Sequence, residues 1–326
     1  MTSRQPNHKI PETNIKKRIA VITLKSPAHL YHCVPIACEL AKNQKFKVDI
    51  YTDTEQTAAL IKALTEDYNV SCRIQILHPA LGNRLLNTLT RHPARAKHII
   101  SHNQDKFRHY DCIISPDFYT APLITTSEKN RPVHVFTFHG AGDRAYGFKQ
   151  QLCLYDLILV SGPMIKQRLG EEGILDCTHS VETGYPKFDL LHHTAPKKLF
   201  SNHRKTVIYA PHFQRKETSW YDWGLEVLEY FYSSRKFNLI FAPHVLLMTK
   251  WRRRKSIPKR YYTSPHLHLD FGSSNSIDMT YTQQADIYLG DVSSQVYEFL
   301  YHPRPCIFLN TKKVNWRHNP DFTHWQ

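Results

Sequence analysis

The stretch ADIYLGDVSSQVYEFLYHPRPCIFLN, from Ala285 to Asn310, places a short apolar run before a cluster of small polar residues. A helix-like segment follows, then two prolines and a second apolar run. Apolar runs without polar alternation are typical of strands covered on both faces, and a helix usually ends before proline. The stretch therefore predicts a strand, a helix that opens near Ser293, and a second strand, with Asp291, Ser293 and Ser294 at the first turn.

The same alternation of strand and helix runs through the whole chain. It begins at RIAVITL (18–24), is interrupted by a polar, basic stretch at 189–206, and restarts at VIYA (207–210). Repeated βα units predict parallel sheets with helices on both faces, so we expect an α/β protein of two Rossmann-like domains facing a cleft. One predicted helix spans about 275–284. The expected boundaries are 1–192 for the first domain, 193–204 for the linker and 205–326 for the second domain.

The composition is that of a basic protein. The 326 residues contain 43 Lys and Arg against 28 Asp and Glu, a net charge of +15. Such a surface favours anionic partners: nucleotides, phosphorylated polymers or acidic lipid headgroups. The run KWRRRKSIPKR (250–260) is either a solvated loop or a contact with an anionic polymer or membrane. RNA-binding signatures are not visible, so nucleic acid is not expected as a partner.

The cysteines and the N-terminus indicate a cellular compartment. Seven scattered cysteines without a C-x-x-C pair are expected to be reduced and to pack as small hydrophobes. The N-terminal residues lack the apolar core of a signal peptide, and no run reaches the ~20 apolar residues that span a bilayer. We therefore expect a cytoplasmic protein whose membrane contact, where it has any, is peripheral and on the inner face.

The turn at 290–294 is the first candidate site, because ligands of open α/β sheets bind beyond the carboxyl ends of strands. Free N–H groups at a helix start bind phosphate, and serine hydroxyls add donors. A plain helix cap is the alternative, but three capping residues within four positions favour phosphate. Asp291 would repel phosphate and is expected to cap the helix or to orient the loop. Glu298 is either a ribose ligand or an exposed helix carboxylate, and the sequence alone favours the second.

The second candidate site is FTFHGAGDR (136–144), where His139 and Gly140 follow a buried strand. A neutral imidazole at that position can accept the proton of an attacking hydroxyl, and Asp143 is a candidate to orient it. Glycine allows the backbone to approach a ligand closely. The alternative is a solvated bystander, since the chain has 21 histidines.

Two strands of the second half end in the same Ala-Pro-His turn, which contains His212 in one case and His244 in the other. His244 is expected to bind pyrophosphate as a cation or as a hydrogen-bond donor. Arg215 is expected to clamp phosphate, because guanidinium is always charged and binds it bidentately. His29 and His32 are spaced like metal ligands at a helix start, but no third ligand is apparent, so no metal is expected.

These motifs, in this order, resemble the CDP-glycerol glycerophosphotransferase family, the teichoic-acid primase and polymerase type of GT-B transferase. The family's usual Thr-Gly-Tyr-Pro-Arg reads Thr-Gly-Tyr-Pro-Lys here. The resemblance covers a little over half of the chain, and the N-terminal part resembles only a generic GT-B acceptor domain. The motifs are His139-Gly140, TGYPKFD (183–189), YAPHFQR (209–215), APHV (242–245) and GDVSSQVYE (290–298).

The resemblance implies a GT-B fold and assigns roles to individual residues. It implies that His139 is the catalytic histidine facing the acceptor, that His244, Ser293 and Ser294 bind the donor pyrophosphate, and that Glu298 binds the ribose. The chain departs from the family where the donor phosphate and nucleotide would lie, so the departures affect the donor's identity more than the fold. The departures are His212 for Thr, Ala242 for Lys, Val245 for Pro, Gly290 for Thr and Val292 for Tyr.

The expected function is transfer of a polyol-phosphate or glycosyl unit from a CDP- or other nucleotide-diphosphate donor. The acceptor would be a hydroxyl of a cell-surface glycan or lipid-linked intermediate, and no cofactor or metal is expected. A UDP-sugar glycosyltransferase or a UDP-sugar 2-epimerase-like enzyme is the alternative, and a basic polyanion-binding protein is the non-enzyme alternative. GT-B proteins usually close with a terminal helix, which DFTHWQ (321–326) does not resemble, so a truncated end is also expected.

Overall fold

The strands of the computed structural model form two separate sheets, and every strand pairing among the described residues is parallel. The structure describes residues 16–80, 93–124, 131–140, 147–192, 198–249, 256–291, 293, 295–319, 322 and 325. The first sheet contains β1 (Lys17–Ile22), β2 (Phe46–Thr52), β3 (Arg73–Ile76), β4 (Cys112–Ser115), β5 (Val133–Thr137), β6 (Leu157–Val160) and β7 (His179–Glu182). The second contains β8 (Thr206–Ala210), β9 (Asn238–Phe241), β10 (Leu267–Leu269), β11 (Ile287–Gly290) and β12 (Cys306–Phe308).

Helices connect these strands as the βα alternation predicts. The α-helices in the described part of the chain are α1 (Pro27–Lys42), α2 (Glu55–Asp67), α3 (Pro93–His102), α4 (Pro163–Glu171), α5 (Trp220–Ser234), α6 (Lys259–Tyr262), α7 (Thr280–Gln284) and α8 (Gln295–Phe299). The 3₁₀ segments are Gln104–Phe107, Phe118–Leu123, Gln150–Leu154, Ile174–Asp176, Pro186–His192 and Ser274–Ser276. Within the described ranges, no helix is both long enough and apolar enough to cross a bilayer.

The strand order places one switch point in each sheet. The first sheet has the order β3-β2-β1-β4-β5-β6-β7, so the chain moves outward in opposite directions from the neighbours β1 and β4. The second has the order β10-β9-β8-β11-β12, with its reversal between β8 and β11. Loops diverge at such reversals and leave a crevice beyond the carboxyl ends of the strands. The fold therefore provides two crevices, one per sheet.

The two sheets have separate cores, and the two halves contact each other. Val21 and Ile50 of the first sheet pack against Val34 of α1, while Tyr209 and Phe241 of the second pack in another cluster. Ile277, which precedes α7 in the second half, packs against the first of these clusters. The halves therefore contact each other at this cluster, which includes residues of α1. The predicted domain boundaries stay predictions, since residues 193–197 of the predicted linker lie outside the described residues.

The prediction of one continuous helix over 275–284 is wrong. A 3₁₀ turn occupies Ser274–Ser276, and α7 begins only at Thr280. Met279 has a left-handed conformation, with φ 73°, and Asp278 Oδ1 accepts the Thr280 N–H at 2.9 Å. An aspartate that bonds a nearby backbone N–H competes with helix formation at that point. The local hydrogen bond therefore divides the segment into two short turns.

The prediction that all cysteines are reduced is wrong in this structure, because Cys153 and Cys177 form a disulfide with a Cα–Cα distance of 5.3 Å. The two cysteines precede β6 and β7, which pair with Leu157 opposite His179. Adjacent parallel strands bring the residues before them together, so the register of β6 and β7 places the cysteines side by side. Spacing alone did not reveal the pair, since the partly exposed β7 was not predicted as a strand.

Candidate active site

His139 lies at the carboxyl end of β5, next to the switch point of the first sheet, and its side chain is exposed. Its Nδ1 is 2.6 Å from the carbonyl oxygen of Pro116, which follows β4. A carbonyl only accepts hydrogen bonds, so Nδ1 carries the proton and donates it. The neutral ring then has its lone pair on Nε2. This is the tautomer that a general base requires.

His29 and an ion pair surround His139. The ring of His29, in the first turn of α1, lies 4.5 Å from that of His139 between centroids. Burial, and then the electrostatic interaction with His139, lower the pKa of His29 to about 3, so His29 is neutral at physiological pH. Lys25 Nζ and Asp117 Oδ2 pair at 3.1 Å beyond β1 and β4. Burial would raise the pKa of Asp117, but Lys25, His29 and His139 lower it, so the carboxylate is ionised.

In the second sheet, Asp291 connects the end of β11 to the loop after β8. Its side chain is fully buried; Oδ1 accepts the N–H of His212 at 2.7 Å, and Oδ2 accepts the N–H of Ser219 at 2.5 Å. Burial raises the pKa of Asp291. With both oxygens bonded to backbone and no exposed surface, Asp291 orients the β8–α5 loop and is not placed to contact a ligand.

His212 and His244 lie side by side after β8 and β9, with ring centroids 5.4 Å apart. Burial, and then the charge of His212, lower the pKa of His244 to about 3, so the expected cation is excluded at neutral pH. Nδ1 of His244 accepts the N–H of Leu246 at 3.2 Å, which places the proton of the neutral ring on Nε2. His244 is therefore a neutral hydrogen-bond donor. His212 is buried, and its Nδ1 lies 2.9 Å from Glu217 Oε2.

The turn after β11 caps a short helix. Helix α8 begins at Gln295, later than predicted, and Ser293 Oγ accepts the Gln295 N–H at 3.3 Å. Ser293 is buried, and Ser294 lies outside the described residues. The contact that the structure gives Ser293 is thus the helix cap that the sequence left as the alternative to phosphate binding. Phosphate binding by the two serines stays a prediction.

Glu298 is buried, which contradicts the exposed helix carboxylate favoured by the sequence alone. Its Oε1 accepts hydrogen bonds from Lys187 Nζ at 2.6 Å and from the Tyr185 hydroxyl at 3.2 Å. Both donors belong to the TGYPKFD motif of the first half, so the pair crosses between the two sheets. His32 of α1 lies nearby, with its ring 5.2 Å from that of Tyr185.

His32 is buried on α1, between the two groups described above. Burial lowers the pKa of His32 well below its usual value, and the electrostatic interactions with Lys187, His139 and His29 lower it further.

The remaining predicted residues lie at the edge of this arrangement. Gly140 is partly exposed beside His139, and Asp143 lies outside the described residues. Arg215 is exposed, with its guanidinium carbon 5.5 Å from the ring centroid of Tyr221. The described residues contain no group of three or more His, Cys, Asp or Glu side chains arranged to hold a metal ion.

Sequence reasoning missed several residues of this site: Lys25, His29, Asp117, Tyr185 and Lys187. Lys25 and Asp117 follow β1 and β4, so the position at strand ends was the available signal for both. Lys187 and Tyr185 stood in a recognised motif, but their partner Glu298 is 111 and 113 residues away. His29 was considered only as a metal ligand.

Several solved structures share the fold of this protein. The co-structure of S. aureus MnaA with UDP is 12% identical, covering 93% of this chain and 82% of that one, with a TM-score of 0.61. UDP-GlcNAc 2-epimerase from Neisseria meningitidis bound to UDP-GlcNAc is 16% identical, covering 90% and 82%, with a TM-score of 0.58. The glycotransferase of kitacinnamycin is 12% identical, covering 93% and 83%, with a TM-score of 0.57. The predicted GT-B fold is confirmed.

The sequence itself determines the family. The profile of the CDP-glycerol:poly(glycerophosphate) glycerophosphotransferase family matches residues 94–324, well over half of the chain. The chain belongs to this family and is a transferase, as the resemblance predicted. No curated protein is a significant match to the sequence.

Proposed function

We propose that this protein transfers a polyol-phosphate unit, such as glycerol phosphate, from a CDP-linked donor to a hydroxyl of a surface-glycan or lipid-linked acceptor. The single observation that carries the proposal is the geometry of His139. Its Nδ1 is bonded to the Pro116 carbonyl at 2.6 Å, while the side chain stays exposed. An oriented, accessible imidazole that leaves Nε2 unbonded to the Pro116 carbonyl fits, in a transferase of this family, a general base for an acceptor hydroxyl.

The proposed step is a single displacement at phosphorus. The acceptor hydroxyl oxygen attacks the phosphorus that carries the polyol, while its proton passes to Nε2 of His139. The bond from that phosphorus to the bridging oxygen of the pyrophosphate breaks, and the electron pair leaves with CMP. Asp117, ionised beside His139, stabilises the imidazolium that forms. The reaction as proposed uses no cofactor and no metal.

The donor is proposed to lie against the second sheet. The Nε2–H of neutral His244 and the turn containing Ser293 and Ser294 would bind the diphosphate through fixed dipoles. Glu298 would accept hydrogen bonds from the ribose. His212 and Asp291 hold the β8–α5 loop that borders this region, and Arg215 is an exposed cation on the same loop.

The proposal is tested with a panel of donors: CDP-glycerol, CDP-ribitol, UDP-glucose and UDP-GlcNAc. The wild type is expected to release CMP from a CDP-linked donor in the presence of acceptor. His139→Ala is expected to lower that rate by about 10³, within the range that general bases contribute, while nucleotide binding persists. His203→Ala, an exposed histidine before β8, is the matched control and should match the wild type. An active His139→Ala variant would contradict the proposal.

A UDP-sugar reaction is the second candidate, because two of the structures with the same fold contain UDP or UDP-GlcNAc. Turnover of UDP-sugars without turnover of CDP-linked donors would favour it. Nucleotide-independent binding of polyanions, with no turnover of any donor, would favour the non-enzyme alternative.

We further propose that the protein works at the inner face of the cell membrane, as a cytoplasmic protein in peripheral contact. The net charge of +15 supports attraction to an anionic lipid surface. A lipid-linked acceptor would require such a location.

A further inference from the structure

One buried ion pair joins the two halves of the molecule at the edge of the proposed donor site. Lys187 Nζ lies 2.6 Å from Glu298 Oε1, and each side chain is only 6% exposed. Lys187 follows β7 of the first sheet, whereas Glu298 lies on α8 of the second. Burying two charges is costly unless they are paired in good geometry. A pair at this depth therefore fixes the position of both side chains.

A second donor reinforces the pair. The Tyr185 hydroxyl donates to the same Oε1 at 3.2 Å, and Tyr185 is itself buried. Both of these hydrogen bonds end on Oε1. A carboxylate has about four acceptor positions on its two oxygens, so Glu298 keeps acceptor capacity for ribose hydroxyls.

The segment that supplies both donors is anchored on each side. Leu190 packs in the core cluster of the first sheet that includes Val34 of α1. On the other side, the ring of Phe188 lies 4.7 Å from that of Tyr301, just beyond α8. Lys187 and Tyr185 are therefore presented from a backbone that contacts both halves. Their reach to Glu298 depends on the halves being together.

We propose that Lys187 and Tyr185 are positioning residues that hold Glu298 for the ribose hydroxyls of the donor, and so couple ribose selectivity to the closed arrangement of the two halves. This inference rests on the proposed function, which places the nucleotide against Glu298. It adds that a residue of the first half determines how the second half selects a ribonucleotide.

The experiment measures nucleotide affinity by calorimetry on the full-length protein. The probes are CDP and UDP, each compared with its 2′,3′-dideoxy form, which lacks both ribose hydroxyls. The variants are Lys187→Met, which removes the charge, and Lys187→Arg, which restores it with the residue usual in the family. Lys205→Met is the matched control, since Lys205 pairs with Asp286 at 2.7 Å on the surface, before β8.

The wild type is expected to bind the ribonucleotide about 10- to 100-fold more tightly than the dideoxy form, as hydrogen bonds to a charged group contribute about 1.5–3 kcal/mol. Lys187→Met should reduce that ratio to about one, because an unpaired buried carboxylate protonates or moves away. The affinity ratios of Lys187→Arg and Lys205→Met should stay within about threefold of the wild-type ratio. Tyr185→Phe should lower the ratio less than Lys187→Met, since it removes the longer bond, whose donor carries no charge.

A double variant controls for the possibility that Lys187→Met fails to fold. Lys187→Met combined with Glu298→Gln leaves no unpaired charge in the interface, and it should bind both nucleotide forms equally. A ribose preference retained by Lys187→Met, or by the double variant, would overturn the inference, as would a wild type without ribose preference. If the wild type binds neither CDP nor UDP, the proposed function itself is wrong.

Discussion

At the scale of single residues, backbone carbonyls and amides determine what the histidines of the site can do. The Pro116 carbonyl gives His139 a free Nε2 lone pair, whereas the Leu246 amide gives His244 an Nε2–H. The same side chain can thus accept a proton at Nε2 in one place and donate a hydrogen bond from Nε2 in the other. His139 and His244 also differ in exposure. The side chain of His139 is exposed, whereas burial keeps His244 neutral.

Asp117 gives a test of the charge beside His139. Asp117→Asn removes the carboxylate that we propose to stabilise the imidazolium, so we expect kcat to fall about tenfold with little change in KM, an effect near 1.4 kcal/mol. Steady-state kinetics with the active donor measure both. Asp111→Asn, at the opposite end of β4, is the control. An unchanged kcat would show that Asp117 only pairs with Lys25.

His134 gives a test of stability against pH. It is fully buried on β5, and neither ring nitrogen has a hydrogen-bond partner among the residues that the structure describes. Burial, and then the charge of Arg131, lower its pKa to about 4. Between pH 6.5 and 4, His134 binds a proton in the unfolded state but not in the folded state. The contribution of His134 to the free energy of unfolding should therefore be fully present above pH 6.5. Its loss should lower the free energy of unfolding by about 3 kcal/mol toward pH 4.

His134→Leu should remove that contribution and leave stability at pH 7.5 equal or higher, because it also removes unsatisfied buried polar atoms. Urea unfolding of wild type and variant at pH 7.5, 6 and 5 measures the difference. His179→Leu, an exposed histidine on β7, is the control and should follow the wild type. Parallel profiles for His134→Leu and wild type would show that His134 accepts a proton in the folded state.

The sequence predicted the role of a single residue only where its position at the end of one strand was enough to indicate that role. His139 and His244 each follow an apolar strand, and that position alone marked them. Lys187 could not be assigned a role, because its partner Glu298 lies 111 residues away in sequence. The burial of Glu298 follows from the contact between the halves, which no local pattern contains.

At the scale of elements, the end of β11 organises the start of α5. Asp291→Asn replaces one acceptor oxygen by an NH₂ group that faces a backbone N–H of His212 or Ser219. One buried bond is lost and two donors oppose each other, so we expect unfolding to become easier by about 2–3 kcal/mol. Hydrogen exchange at the amides of His212 and Ser219 should accelerate.

Asp286→Asn is the matched control for this change. Asp286 Oδ2 accepts the Thr206 N–H at 2.8 Å at the other end of β8, but its side chain is 36% exposed. Water can satisfy the groups left there, so the loss should stay near 1 kcal/mol, an ordinary value for one hydrogen bond. Equal losses for the two variants would contradict the assigned role of Asp291.

Strands were predicted well where buried residues form a continuous apolar run in the sequence. Strands such as β1 and β8 are continuous apolar runs and were identified from composition. β7 was missed because its side chains are mostly exposed, so it lacks the apolar pattern of the other strands. The helix expected at 275–284 failed because Asp278 and the left-handed Met279 redirect the backbone locally.

At the scale of the whole molecule, the positive charge gives a prediction about lipid surfaces. With a net charge of +15, the protein should sediment with vesicles of phosphatidylglycerol and phosphatidylcholine, but not with phosphatidylcholine alone. Binding at about 0.05 M salt should be lost near 0.5 M, where the Debye length is about 4 Å. Equal binding to both vesicle types, or binding that resists salt, would contradict an electrostatic contact.

The two-sheet architecture was predictable because βα repetition forces parallel pairing and places active residues at strand ends. The disulfide between Cys153 and Cys177 was not predictable, because it depends on the register of β6 against β7. The relation of the two crevices was not predictable either. It depends on two tertiary contacts between the halves, that of Ile277 with the first core cluster and that of Lys187 with Glu298.

The central claim is that a nucleoside diphosphate binds between the two sheets, and a crystal structure with CDP tests it most directly. We expect the diphosphate within about 3 Å of His244 Nε2 and the turn after β11, with the ribose on Glu298. His139 Nε2 should face the terminal phosphate. A nucleotide bound outside the interface between the halves, with His139 and His244 out of reach, would contradict the account.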